Sequence, residues 1–146
     1  MQIRKDIILR GAKSKTVNAL IDTGASLTLI PKKIADEIEV KYLNKKQQMH
    51  GAFEGGEDIA EIAAIDMNFP FLEDLNYIAE VAVSSKATDV LIGLDILNPL
   101  KITIDTDTHE LSIKNEIVDG VKNGLAIVGG VAIAGTILYL LFGRKK

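Results

Sequence analysis

Cysteine is missing from all 146 residues. That single absence excludes a disulfide framework, a thiolate metal site and a cysteine nucleophile. A long basic run is missing too. The net charge of −3 is spread along the chain and leaves no electrostatic footprint for nucleic acid, so no nucleic-acid partner is expected. There is no internal repeat and no low-complexity tract, and helix signals are scarce over residues 1–115. What is present, 47% hydrophobic and 25% charged, is the composition of an ordinary globular protein too short for two full domains.

One stretch departs from this average. Residues 124–142, GLAIVGGVAIAGTILYLLF, run for nineteen positions without a charge. As a helix at about 1.5 Å per residue they would extend roughly 28 Å, close to the hydrocarbon thickness of a bilayer. A buried helix in so small a soluble domain would show a polar face, whereas only Thr136 and Tyr139 are even partly polar here. The segment is expected to be a single transmembrane helix in contact with the lipid bilayer. Tyr139 suits an interfacial position, and GRKK (143–146) forms a basic tail beyond the span. Ala126, Gly130 and Ala134 recur every four residues, which suits either close helix–helix approach or a membrane helix simply rich in small residues.

Residues 116–123, EIVDGVKN, read as a linker, leaving 1–115 as the folded domain. The start, MQIRKDIILR, has charges at positions 4, 5, 6 and 10 and no apolar core long enough for a secretory leader. That favours a C-terminal anchor with the domain on the cytoplasmic side. Three positive charges after the span, against Lys114 and Lys122 before it, lean the other way.

Residues 1–115 read mostly as strands. QIRKDIIL and TVNALID flank a polar turn containing Gly11; NYIAEVAVSS and DVLI are further runs; KITID and ELSIK alternate around TDTH as a hairpin. QQMHGAFEGGEDIAEIAAIDMNF, with Gly51, Gly55 and Gly56 at its centre, predicts a long hairpin with a flexible tip. PKKIADEIEV (31–40) is the one good helix signal, with Pro31 suited to the first helical position and Ile34 and Ile38 on one face. LDILNPL begins like a short helix stopped before Pro99. Many short strands and little helix predict an all-β, barrel-like domain.

Within this pattern one carboxylate is out of place. In NALIDTGASLTLIP (18–31), Asp22 sits at a Thr-Gly turn between two apolar runs, where a folded domain ordinarily places apolar side chains. About seventy residues later comes DVLIGLDIL (89–97), an apolar strand ending in Gly93. Together, over residues 3 to 114, these features resemble the retropepsin-like aspartic proteases: an apolar strand ending in Asp-Thr-Gly-Ala, a Gly-rich middle hairpin, then an apolar strand ending in Gly before a short helix. The resemblance implies a closed β-barrel of the acid-protease fold. It also implies a homodimer acting on polypeptide substrate, in which Asp22 of each subunit is catalytic and Thr23, Gly24 and Ala25 complete the loop. Gly51, Ala52 and Phe53 would belong to a flap, an ordinary solvent hairpin being the alternative; Ile92 and Gly93 would wall the groove, with core strand as the alternative for Ile92 and its neighbour Val90.

The chemistry explains why two acids are needed. Hydrolysing an amide without a metal or a covalent nucleophile requires one group to take a proton from water and another to give one to substrate. Two carboxylates about 3 Å apart, at an effective dielectric near 20, repel by roughly 5 kcal/mol, about four pKa units, so one stays protonated while the other ionises. Gly24 leaves the backbone open to a bound peptide, and the Thr23 hydroxyl can brace the loop; in the family it reaches across to the partner loop. The chain has a single Asp-Thr-Gly, so the second acid must come from elsewhere; the resemblance implies that a second copy supplies it, across a two-fold axis. No cofactor and no metal are expected.

Other signals carry less. DTDTH (105–109) has the outline of a phosphotransfer loop but ends in His109 and lacks a surrounding strand–helix alternation; its acids suit turn hydrogen bonds better than a metal. His50 has no accompanying serine or cysteine nucleophile and reads as a flap residue. Glu54, Glu57, Asp58 and Glu61 read as a solvated acidic face, with a bias toward basic substrates as the functional alternative. A second function class is a catalytically silent module that binds peptides or scaffolds a membrane complex; a third makes the C-terminal helix the active part, with the β domain as its regulator.

Overall fold

The computed structural model describes residues 2–50, 57–113, 125–128 and 131–134, with the backbone alone at residues 50, 57, 58 and in the last two segments. The two opening runs form β1 (Ile3–Arg10) and β2 (Ser14–Ile21), paired antiparallel from Ile3 opposite Ile21 to Arg10 opposite Ser14. Their period of two sends Ile3, Ile7, Leu9, Val17, Ala19 and Ile21 inward. After the Asp22 loop come β3 (Leu29–Pro31), α1 (Lys32–Ile38), β4 (Lys41–His50) and β5 (Glu57–Phe69). A 3-10 turn at Pro70–Leu72 leads to β6 (Leu75–Ser84), then to β7 (Leu91–Ile92) and α2 (Leu94–Leu97). A separate hairpin pairs β8 (Thr103–Asp105) with β9 (Glu110–Ser112).

Six of these strands close on themselves. The order β6-β3-β7-β2-β1-β5 is hydrogen-bonded throughout, and β5 pairs back onto β6 from Glu61 opposite Val83 to Phe69 opposite Leu75. Closure leaves no free edge within the ring. The length of β5, 13 residues, makes this possible: its first part pairs with β4, and Asp66 to Asn68 pair with β1. Ile7, Leu9, Ile65, Met67, Phe69 and Tyr77 fill the interior at no more than 1% exposure. The expected closed, all-β barrel is what the described residues form, with α1 and α2 as its short helices.

The helix at 31–40 is shorter than its apolar spacing suggests. Pro31 is the last residue of β3 and caps the helix from outside (φ −59), while Glu39 turns left-handed (φ 54) and ends it. The β1–β2 turn seals that end: Ala12 N–H donates to the Glu39 carbonyl at 3.2 Å and Lys13 N–H to that of Ile38 at 3.0 Å. These are carbonyls that a helix C-terminus leaves without an internal partner. A Cβ on Gly11 would lie 2.5 Å from the Ile38 oxygen and 2.8 Å from the Glu39 oxygen. Gly11→Ala is therefore expected to destabilise the domain by about 1–3 kcal/mol, as overpacking against fixed backbone does, measurable as a lower denaturation midpoint.

In the C-terminal stretch the described residues are strands rather than the expected helix. β10 (Leu125–Val128) pairs antiparallel with β11 (Val131–Ala134), and β10 runs parallel to β6 at Tyr77 and Ile78. The physical reason lies in the composition: short Val/Ile/Ala runs flank Gly129-Gly130, and Gly-Gly between two apolar runs is also a hairpin signal. Among the described residues no helix is long and apolar enough to cross a membrane. The rest of the expected span (124, 129–130 and 135–142), the basic tail 143–146 and the linker 116–123 lie outside the described residues.

Candidate active site

The strand crossing that creates the site follows from the barrel order. β7 inserts between β2, parallel to it (Ile21 beside Ile92), and β3, antiparallel to it (Leu29 beside Leu91). Residues 22–28 therefore arch over the end of β7 to connect its two neighbours. Asp22 is the first residue of that arch and is partly buried; Thr23 and Gly24 are exposed, and Ala25 is partly buried.

Backbone hydrogen bonds fix the arch at both ends. Asp22 N–H donates to the Ile92 carbonyl at 2.9 Å, Ala25 N–H to the Asp22 carbonyl at 3.2 Å, and Leu94 N–H to the Ala25 carbonyl at 2.9 Å. The Asp22 carboxylate is aimed by its own loop: Oδ1 accepts the Gly24 N–H at 2.9 Å. A Cβ at position 24 would come within 3.2 Å of that oxygen. Glycine here is thus a matter of room for the carboxylate, since the φ of Gly24 lies outside the left-handed region.

Gly93 is a stricter case. Its φ of −101 suits any residue, but a Cβ would lie 2.8 Å from the Ala25 oxygen and 2.8 Å from both the carbonyl carbon and oxygen of Leu27. The arch passes directly over it.

Beneath the arch is a pairing that sequence reading did not single out. Thr28, fully buried, meets Asp95 in the first turn of α2. Asp95 Oδ2 accepts the Thr28 N–H at 3.0 Å, and Oδ1 accepts its hydroxyl at 2.7 Å. The same hydroxyl oxygen accepts the Gly93 N–H at 3.0 Å. The available signal is the aspartate directly after Ile-Gly-Leu within DVLIGLDIL. Nearby, Arg4 of β1 forms an ion pair with Asp89, which holds the guanidinium pKa above its usual value chiefly by hydrogen bonding. Asp89 Oδ1 also accepts the Val90 N–H at 3.0 Å.

Of the two readings of Ile92, groove wall and core strand, its burial favours the second. Ile92 is 1% exposed and belongs to the barrel core. Alternation along β7 sends its neighbour Leu91 to the other face, where it packs on a second apolar cluster of Leu29, Met49, Ala60 and Ala82. Met49 and Ala60 lie on the two strands that lead to the hairpin tip, β4 and β5. Gly51, Ala52 and Phe53, expected to form that tip, lie outside the described residues.

The DTDTH segment is a hairpin turn. Asp105 Oδ1 accepts the N–H groups of Asp107 and Thr108, at 2.9 and 3.2 Å, and those bonds, Thr108 first, lower its pKa from the ordinary aspartate value. Among the described residues no three His, Asp or Glu side chains converge as metal ligands. A cavity of about 480 Å³, between Lys5, Phe71 and the β8–β9 hairpin, shares no residue with the arch.

The sequence matches the family described as "gag-polyprotein putative aspartyl protease" over residues 12–99, more than half of the chain. No curated protein matches it significantly. Among solved structures the fold is similar to the EIAV protease complexed with the inhibitor HBY-793, with a TM-score of 0.53 and 18% identity over 72% of this chain and 93% of that one. It is also similar to the retroviral protease-like domain of Ddi1 from Leishmania major, with a TM-score of 0.51 and 23% identity over 77% of this chain and 89% of that one. At such identities the two structures speak to the fold alone. The match over residues 12–99 includes the arch, Gly93 and Asp95, and on it the chain belongs to the gag-type, retropepsin-like aspartyl protease family.

Proposed function

We propose that the protein is a membrane-anchored aspartic endopeptidase that works as a homodimer, with Asp22 of each copy forming the catalytic pair. The observation that carries this reading is the presentation of Asp22. Its carboxylate is oriented by the Gly24 N–H at 2.9 Å, on an arch whose Thr23 and Gly24 are exposed. An exposed loop around a partly buried acid leaves a face on which a second, identical loop can sit across a two-fold axis. There the two carboxylates share a proton, one activating water and the other protonating the substrate. Substrate lies extended between the arch and the β4–β5 hairpin, pairing by backbone with its side chains in alternate pockets. The partly buried Leu27, Ile62, Ala87 and Leu91, packed over the cluster of Leu29, Met49, Ala60 and Ala82, favour apolar side chains there.

The test is peptide cleavage by the purified chain, with and without a statine-containing peptide. Cleavage and its suppression by the statine support the dyad, because a tetrahedral mimic binds a site built for that transition state. A folded dimer that binds peptides without cutting them replaces this reading with the silent module. A fragment ending at residue 115 that still cuts excludes the third reading, in which the C-terminal segment is the active part.

The anchor is the second half of the proposal. Nineteen uncharged residues followed by Arg144, Lys145 and Lys146 support it. Anchoring requires residues 125–134 to leave their pairing with β6 and become helical in lipid, where a helix satisfies every backbone N–H and C=O internally and an open hairpin does not. The full chain is expected to float with liposomes and resist alkaline extraction, and the fragment ending at residue 115 to stay in the aqueous phase. Equal partitioning of the two removes the anchor. The domain is placed on the cytoplasmic face, which protease accessibility in intact cells checks.

A further inference from the structure

Asp95 is a partly buried carboxylate with both oxygens bonded to one residue, Thr28, which has no place in the chemistry. Its surroundings fix the direction of every hydrogen bond. The Thr28 hydroxyl donates to Asp95 Oδ1, at 2.7 Å, a carboxylate oxygen being an acceptor. With its proton spent, Thr28 Oγ1 presents only lone pairs to the Gly93 N–H, 3.0 Å away. The result is a one-way chain, Gly93 N–H to Thr28 O–H to Asp95, of the kind in which each bond strengthens the next. The Thr28 N–H bond to Oδ2, at 3.0 Å, is the second arm of the clasp.

Both ends of this chain bear on the arch. Thr28 is where the arch lands, and its own carbonyl is anchored by the Ala82 N–H at 3.1 Å. Gly93 is the residue beneath it, with Asp22 N–H bonded to the preceding carbonyl and Ala25 O bonded to the following N–H. We infer that Asp95 is a positioning residue for the reaction: through Thr28 and Gly93 it clamps the landing point of the arch to β7 and so sets where the Asp22 carboxylate points. The inference rests on the reading of Asp22 as the reacting acid. It adds that a second aspartate, 73 positions along the chain and bonded through both oxygens to Thr28, governs the height and tilt of that acid.

Thr28→Val removes the hydroxyl at constant shape and leaves the Gly93 N–H and one Asp95 oxygen unpaired. Thr28→Ser keeps the hydroxyl. Asp95→Asn is intermediate: the amide oxygen can take the Thr28 N–H, and its NH2 can donate to Oγ1, which then accepts two bonds while its own proton is orphaned. The experiment uses the full chain and two readouts. The first is amide hydrogen exchange at Gly24, Ala25 and Leu94, compared with Ile65 and Met67 in the barrel core. Thr28→Val is expected to speed exchange at the arch at least about tenfold more than in the core, by local opening. The second is peptidase turnover: kcat falls roughly 10- to 100-fold in Thr28→Val, with KM changed less than about threefold, because misplacing a reacting group by a fraction of an ångström costs rate rather than binding. Thr28→Ser stays near wild type in both, and Asp95→Asn falls between.

Exchange that rises equally at arch and core means the clasp is general stability and overturns the inference. Thr28→Val turnover equal to wild type overturns it as well. A wild-type chain that cuts no peptide defeats the proposed peptidase instead, while the exchange comparison still decides whether the clasp holds the arch.

Discussion

Asp22→Asn is expected to lower peptide cleavage by at least about 10³-fold, the scale on which removal of a general acid–base group acts, while the domain keeps its fold. The two halves of this expectation come from different atoms of one side chain. Oδ1 accepts the Gly24 N–H at 2.9 Å, and the amide oxygen of asparagine can accept the same bond, so the arch keeps its local brace. What the amide cannot do is carry the negative charge that takes a proton from water. In a dimer the substitution also removes repulsion between two acids, roughly 5 kcal/mol at about 3 Å and an effective dielectric near 20 when both are ionised. Association of the variant should therefore be no weaker than wild type, and tighter at high pH where the wild-type pair loses its shared proton. Turnover with purified protein, together with molar mass by light scattering across pH, checks both parts. Activity within tenfold of wild type would leave no role for Asp22 as acid or base.

The parts of this arrangement that sequence shows are those written in local pattern. Ala19 and Ile21 are buried in β2 as the period of two requires, and the pattern runs straight into Asp22. The run Val90 to Ile92 ending at Gly93 is equally plain. Parity was harder: both Leu91 and Ile92 are apolar, and only the pairing of β7 with β2 and β3 decides that Ile92 faces the core. β4 starts at Lys41, six residues before the expected hairpin strand at Gln47, because KYLNKK shows no apolar alternation; its register with β5 is set by the partner instead. The clasp of Thr28 by Asp95 joins residues 67 positions apart, and no spacing rule reaches that far. The same holds for the β1–β2 turn that seals α1. In the C-terminal stretch, Leu125 to Ala134 carries both a helix-compatible apolar run and a hairpin-compatible Gly-Gly. Sequence period cannot arbitrate between the two; the surrounding medium can.

Gly93→Ala is expected to cost both stability and activity, and the reason is which atoms stand in the way. The three atoms at 2.8 Å from the added carbon all belong to the backbone of Ala25 and Leu27, so no side chain can rotate aside. β7 cannot retreat, because it is hydrogen-bonded to β2 on one side and β3 on the other, and Ile92 behind it is packed in the core. The strain must go into the arch, lifting Ala25 and with it the turn that holds Asp22. Overpacking of this kind typically costs about 1–3 kcal/mol, which in a domain of this size lowers Tm by on the order of 10 °C. Gly24→Ala provides the contrast: its single close neighbour is the Asp22 Oδ1 itself, at 3.2 Å, the free end of a side chain. That variant is expected to unfold within about 1 kcal/mol of wild type, since relief needs only a few tenths of an ångström from a flexible group. It should still lose activity, because the group that moves is the reacting carboxylate. Thermal unfolding and turnover measured on both variants separate the two effects. A Gly93→Ala protein as stable and active as wild type would mean that the arch does not rest on β7.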